Sequence, residues 1–214
     1  MTAIESRLRE NYPPILMTLV SLIVALIFEN LISELGSRQA IWRVTPENFF
    51  LWAQSVFLGA STMYFWFTQS LHAAAVRVVF SPRDVFGAVG SGLFFFLLAA
   101  NLGAEGGIVW MYAAAALYTV AWYAITDYGR LYAADPDASG GVGAHRSSSR
   151  LMLAGATIVG CGGLLGTFGV VGIGGVAGFL VVAVVLGGLA HALWFSEFKS
   201  AVGLRQPNTL TGEA

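Results

Sequence analysis

A long apolar run near the start of the chain limits what this protein can fold into. The segment from Pro14 to Leu35 reads PILMTLVSLIVALIFENLISEL. A transmembrane helix needs about 20 consecutive, mostly apolar residues, so this segment is long enough to cross a lipid bilayer. We expect it to be a retained first span, because the apolar region of a cleaved signal peptide is shorter, at about 7–15 residues.

The composition of the whole chain also indicates a membrane protein. Its 214 residues are 57% hydrophobic and 11% charged, and its mean hydropathy is +0.72. Soluble domains carry about 25% charged residues, which a chain of this size needs on its surface. We therefore expect an all-α integral membrane protein, a single polytopic domain over residues 1–214 with a bundle of about six transmembrane helices. The apolar runs predict spans at approximately 14–35, 49–71, 85–102, 108–126, 151–171 and 173–195.

Two connections in this pattern differ from the others. Residues 127–149 contain Asp-Pro-Asp and Ser-Gly-Gly sequences, which are typical of turns and linkers and predict a flexible cytoplasmic loop. Residues 172–175 alone separate the last two spans. These spans therefore form a helical hairpin, which is the simpler interpretation, or they contain a re-entrant element.

The distribution of basic residues predicts the orientation, because cytoplasmic loops are enriched in Lys and Arg. With both termini inside, two of the 11 basic residues, Arg38 and Arg43, are external. Tryptophans fall near both membrane boundaries in this arrangement, as aromatic belts do. We expect a protein of the cell (plasma) membrane with both termini in the cytoplasm. The basic residues placed inside are Arg7, Arg9, Arg77, Arg83, Arg130, Arg146, Arg150, Lys199 and Arg205.

Glu29 is an ionisable residue inside the first apolar run. Such residues usually face the bundle interior or a water-filled cavity. Small or polar residues three or four positions apart share its helix face, and they form a stripe of Thr18, Ser21, Ala25, Glu29 and Ser33. We expect this Glu29 stripe to face inward. Bulkier residues of the same helix fall on other faces: Leu16, Leu19, Leu26 and Ile27.

Other polar residues are predicted to lie at the depth of Glu29. With a helix rise of about 1.5 Å per residue, Gln54 in the second span and Asn101 at the end of the third reach nearly the same level. Glu29, Asn30, Gln54 and Asn101 are therefore expected to converge on an ion pathway that holds a proton or a partly dehydrated cation. The alternative is that they join helices through hydrogen bonds, which are worth about 0.6 kcal/mol each.

His191 is the histidine that lies within an apolar run. It is about 15 Å of helix rise from Glu29, so a direct pair within one subunit is not expected. We interpret it as a second station on the same pathway, near the level of Gln69 and Thr126. The alternative is a histidine whose ring reaches the inner membrane interface.

The last two spans are rich in glycine. Small residues at helical spacing allow helix backbones to approach closely. The expected packing positions form a subunit interface or a narrow pore wall, or they pack within one subunit. These positions are Gly155, Gly160, Gly162, Gly163 and Gly166.

Several classes of protein are disfavoured. The single cysteine, Cys161, excludes a disulfide within the chain and a cysteine metal cluster. One intramembrane histidine cannot supply a pair of haem ligands. A retinal Schiff base needs a lysine within a span, and the only lysine, Lys199, follows the last span. No cofactor or metal is therefore expected. Motifs of metalloproteases, phosphate-binding loops and hydrolases are absent, so we do not expect an enzyme. The net charge of −1 does not favour nucleic acid.

These observations predict a membrane channel or small transporter for a cation or proton, with the intramembrane carboxylate Glu29 as its main polar station. Its expected partners are the lipid bilayer, the transported ion and further copies of the chain. A homo-oligomer is expected because six short spans leave little room for a pathway within one subunit. The alternative is a non-transporting membrane scaffold, sensor or accessory subunit of a larger complex. Such a protein would tolerate neutral replacements at Glu29 and His191.

Overall fold

The described part of the chain folds entirely into helices and their connections. A computed structural model describes residues 3–38, 42–75, 82–103, 107–134 and 142–201. Within these ranges the all-α expectation is confirmed. The helices are α1 (Ala3–Ser37), α2 (Pro46–Ala75), α3 (Pro82–Ala100), α4 (Gly107–Ala134), α5 (Val142–Thr167) and α6 (Ile173–Ala201).

Among the described residues, four helices are long and apolar enough to cross a membrane, which indicates an integral membrane protein. The spanning segments are Pro14–Ser37, Gly107–Asp127, Ser147–Thr167 and Ile173–Ser196. In α3 the described apolar stretch is shorter, at Val89–Ala100. Helix α2, with 30 residues, mixes aromatic side chains with several polar ones.

The connection between α4 and α5 is shorter than the predicted loop over residues 127–149. Helix α4 continues to Ala134 and α5 begins at Val142. Asp135, Asp137 and the rest of residues 135–141 lie outside the described residues. The predicted loop is therefore helical at both of its ends.

The last two spans are joined by a tight turn that starts at the end of α5. The N–H of Val170 donates to the carbonyl of Leu165, and the N–H of Gly169 donates to the carbonyl of Gly166. Gly169 has a φ of 67°, in the left-handed region that glycine adopts at low cost. This is the Schellman arrangement that ends many helices. It turns the chain back into α6, so α5 and α6 form the helical hairpin that was the simpler interpretation.

Helices that follow one another along the chain run in opposite directions through the bundle. The hydroxyls of Tyr112 and Thr167 lie 3.0 Å apart and join the start of α4 to the end of α5. At the opposite end, the hydroxyls of Thr126 and Ser149 lie 2.9 Å apart. We call the end where α2, α4 and α6 terminate the basal end and the opposite one the apical end.

Aromatic side chains fill the centre and the apical half of the bundle. The ring of Phe57 meets Trp110 edge to face and stacks on Tyr118, with centroid separations of 5.3 Å in both pairs. The indole N–H of Trp110 donates to the carbonyl of Leu98 at 2.8 Å. Phe57, Trp110 and Tyr118 form what we call the aromatic cluster. All three side chains are buried, so this level of the bundle is tightly packed.

Helix α1 packs through a face other than the predicted one. Its buried residues are Leu16, Val20, Ile27 and Leu31, whereas every residue of the Glu29 stripe is exposed on the subunit surface. Burying the large aliphatic side chains removes more apolar area from the surroundings than burying small polar ones. The polar groups also find partners without burial. Thr18 Oγ1 donates to the carbonyl of Pro14, and the indole N–H of Trp66 donates to Ser21 Oγ.

The predicted packing glycines contact side chains of their own subunit. A Cβ added at Gly155, Gly162, Gly163 or Gly166 would be unusually close to side chains of α4 or α6. Gly160 has more room, since its nearest neighbour would be Ala115 Cβ at 3.8 Å. Packing within one subunit accounts for four of these five positions.

We expect Gly162→Ala to destabilise the protein by about 1–2 kcal/mol, because overpacking a core typically costs 1–3 kcal/mol. The added methyl group would lie 2.7 Å from Phe179 Cγ and 2.9 Å from Met111 Cε. Gly178→Ala is the matched control, because its Cβ would have no neighbour within 4 Å and alanine favours the helix by about 1 kcal/mol. Thermal unfolding in detergent compares the variants. Equal melting temperatures would contradict the close contact at Gly162.

Candidate functional site

A cavity of about 390 Å³ lies among the helices in the basal half of the bundle. Sites for small molecules typically have volumes of about 300–1,000 Å³. All helices from α2 to α6 contribute to its wall. We call it the basal cavity, and its main polar lining residues are Tyr64, Thr68, Gln69, Asp127 and His191.

Small side chains create the space. Each of the helices α2, α3, α4 and α6 presents at least one glycine, alanine or serine to the basal cavity. Larger residues at these positions would fill the gap between helices, since protein interiors are normally packed without voids of this size. The small lining residues are Ser61, Gly87, Ser91, Ala121, Ala124 and Gly187.

One ring nitrogen of His191 is hydrogen-bonded to the backbone, and the other can exchange a proton. Nδ1 lies 2.8 Å from the carbonyl oxygen of Gly187, one turn earlier in α6. A carbonyl oxygen only accepts hydrogen bonds, so Nδ1 carries the proton in this bond. The ring also stacks on Tyr64, with centroids 4.3 Å apart and an interplanar angle of 15°. Gain or loss of a proton at His191 therefore takes place at Nε2.

Two further polar groups of the basal cavity lack partners in the described part of the chain. The hydroxyl of Thr68 is buried there without a hydrogen bond. The carboxylate of half-buried Asp127 makes neither a hydrogen bond nor an ion pair with any described residue. Buried polar groups are normally hydrogen-bonded, so the Thr68 hydroxyl requires an explanation. A ligand in the basal cavity would supply both partners.

The basal cavity ends at the aromatic cluster. The ring of Tyr118 belongs to both, and its hydroxyl donates to the carbonyl of Ala183 at 2.7 Å. Towards the apical end, Oε1 of Gln54 accepts the N–H of Gly103 at 2.8 Å. Nη2 of Arg38 donates to the carbonyl of Leu102. These bonds hold the α3–α4 connection over the packed half of the bundle.

The structure does not bring Glu29 and the three polar residues predicted at its level into one cluster. Gln54 is fully buried and binds the α3–α4 connection. Asn101 is exposed and its amide donates to the carbonyl of Leu97 in its own helix. Glu29 is exposed and Asn30 is half-buried. Residues at equal depth along the bundle can point in different directions around their helices. The side chain of Gln54 makes a hydrogen bond between parts of the fold, as in the alternative interpretation.

The structure does place His191 and Gln69 in one cavity, at the common level that the helix rise predicts. Thr126 lies near this level as well but binds Ser149. Asp127 and Tyr64 are the functional candidates that sequence reasoning missed. The sequence signal that could have indicated Asp127 is the pair of small residues at positions 121 and 124 of α4, which lie on the helix face that leads to it.

Comparison with known proteins gives no match to a protein-family model, to a curated protein or to a solved structure. The functional assignment therefore depends on the chemistry of the basal cavity.

Proposed function

We propose that this chain is a small membrane transporter for a proton or a small cation, with the basal cavity as its binding site. One observation carries the proposal. The Asp127 carboxylate and the His191 ring line a cavity that is closed on its apical side by the aromatic cluster. Ionisable groups that line cavities between transmembrane helices typically mark ion pathways and proton relays.

The closed apical side favours a transporter over an open channel. Many transporters expose a central site to one side of the membrane at a time, while packed helices close the other side. The packing of Phe57, Trp110 and Tyr118 is consistent with such a one-sided state. The main polar station in this proposal is Asp127 rather than Glu29, because Glu29 lies on the outer surface of the subunit.

We propose that the chain has six transmembrane helices, with both termini in the cytoplasm of the cell. Helix α2 lies alongside α6, with the rings of Phe67 and Phe195 5.3 Å apart. The burial of Gln54 and Thr62 removes polar groups of α2 from contact with lipid. The basic residues of the sequence favour a basal end that faces the cytoplasm. The basal cavity would then be open to the inside in this state.

We also propose that copies of the chain associate through α1. Glu29 is exposed on the subunit surface within the span Pro14–Ser37. A carboxylate that faces lipid is costly, and it is usually covered by protein or water. A second copy that packs on the Glu29 stripe would provide that cover.

The experiment is a flux assay with purified protein in liposomes that contain a pH-sensitive dye. We expect proton or monovalent cation flux above that of protein-free liposomes. We expect His191→Gln to remove most of its pH dependence, because glutamine cannot exchange a proton. Cys161→Ser, at an exposed position of α5, should leave the pH profile unchanged. An unaltered profile for His191→Gln would remove His191 from the mechanism, and wild-type protein without any flux would favour the scaffold or sensor.

A further inference from the structure

We infer that the basal cavity binds an organic monocation with an apolar or aromatic body. This inference rests on the proposed function, because it names the substrate class of the same site. Three properties of the cavity lead to it: its size, its charge and its aromatic walls.

The size of the basal cavity suits an organic molecule better than a bare metal ion. A volume of about 390 Å³ is in the range of small-molecule sites. Metal ions such as Ca²⁺ and Mg²⁺ need six or more oxygen ligands close together. Among the described residues, no group of three or more His, Cys, Asp or Glu side chains could hold a metal ion. One carboxylate in a large apolar space is instead suited to a single charged group on a larger molecule.

The charge of the lining selects a cation. Asp127 is an acidic residue of the wall, and the described lining contains neither lysine nor arginine. A carboxylate that is partly removed from water is stabilised by a partner of opposite charge. The unpartnered hydroxyl of Thr68 adds an oxygen that can accept a hydrogen bond from an ammonium group.

The walls supply the second part of the recognition. Aromatic rings attract cations through their negative faces, and such rings bind quaternary ammonium groups in other proteins. Rings also offer a flat apolar surface on which the body of the ligand can pack. The aromatic lining residues are Tyr64, Phe65, Phe95, Tyr118, Tyr123 and Trp194.

Proton binding at His191 opposes cation binding in the same space. The titratable groups that share the cavity with His191 are Tyr64 on α2 and Tyr118, Tyr123 and Asp127 on α4, while the lining from α3 and α5 adds none. An imidazolium would therefore be a second positive charge beside the bound cation, and like charges disfavour each other. This competition gives the chain a means to exchange protons for organic cations.

The test measures binding by calorimetry with the detergent-solubilised full-length protein and three water-soluble probes. Benzyltrimethylammonium, benzyl alcohol and phenylmethanesulfonate share an aromatic ring and carry a positive, a neutral and a negative head. We expect the cation to bind at least about tenfold more tightly than the other two. We expect Asp127→Asn to reduce its affinity by about tenfold or more, because the variant keeps the shape and removes the charge that attracts the cation. Glu29→Gln removes a carboxylate outside the cavity and should leave the affinity unchanged.

Equal binding of the three probes by the wild-type protein would overturn the inference, whatever the variants do. Preference for the neutral probe would do so too, and it would indicate a site for an uncharged lipid or similar molecule. The outcome is separate from that of the flux assay. Selective cation binding without flux would support the ligand class and contradict transport. Proton flux without cation binding would support transport and contradict the ligand class.

Discussion

Ala121→Trp, which fills the basal cavity, is expected to lower transport in liposomes by at least about tenfold. Ala121 lies on the face of α4 that lines this cavity, between Leu117 and Ile125. An indole at this position would occupy the volume between α4 and the rings of α2, so that a substrate could not enter. A tenfold loss corresponds to about 1.4 kcal/mol in the barrier, which a steric block of a binding site readily exceeds.

Thr119→Trp is the matched control for this block. Thr119 is two residues earlier in α4 and exposed, so the same new side chain points away from the bundle. It should support transport close to the wild-type rate. The melting temperature of both variants is measured in detergent, so that loss of the fold is distinguished from loss of the cavity. Wild-type flux through a folded Ala121→Trp protein would show that the substrate does not use the basal cavity.

Replacement of Asp127 by asparagine is expected to produce the second large effect, a loss of at least about tenfold in cation or proton flux. The two side chains have nearly the same shape, so the variant removes charge and leaves packing intact. The carboxylate makes no hydrogen bond or ion pair with the described residues. Its removal therefore leaves no charged partner stranded among them, and stability should change little. Rates are measured in liposomes at several pH values, and unfolding is followed in detergent.

Glu29→Gln provides the comparison, since it makes the same chemical change on the outer surface of α1. The structure leads us to expect near-normal flux in this variant, in contrast to the sequence-based assignment of Glu29 as the main station. A loss of flux in Glu29→Gln together with normal flux in Asp127→Asn would reverse the assignment. It would place the pathway between subunits, along the Glu29 stripe, instead of within one subunit.

Sequence reasoning succeeded where helix geometry alone decides the result. The length of the first apolar run identifies α1 as a span, because the bilayer thickness and the helix rise are fixed quantities. The same arithmetic placed His191 and Gln69 at one level, and both line the basal cavity. The hairpin of α5 and α6 followed from the short glycine-rich turn between them.

Sequence reasoning failed where the direction of a side chain depends on the neighbours of its helix. Periodicity shows that Ser21, Ala25 and Glu29 share a face, but not whether that face packs inside. In α1 the aliphatic face with Val20 and Ile27 packs instead, because it buries more apolar area. Asp127 falls within the predicted loop over residues 127–149, and it becomes part of a cavity only because α4 continues to Ala134 and small residues leave space beside it.

In the proposed transporter, the position of Tyr118 limits how fast an apical opening can form. Its ring fits against Gly155 of α5 and its hydroxyl against Gly187 of α6, where even a methyl group would collide with them. The hydroxyl also donates to the Ala183 carbonyl. The ring therefore cannot swing aside as a local gate on the picosecond-to-nanosecond scale of free side chains. An apical opening instead requires α4 to move relative to α5 and α6, and collective motions of this kind take microseconds to milliseconds. Turnover would then be sensitive to membrane thickness and fluidity, which act on whole helices.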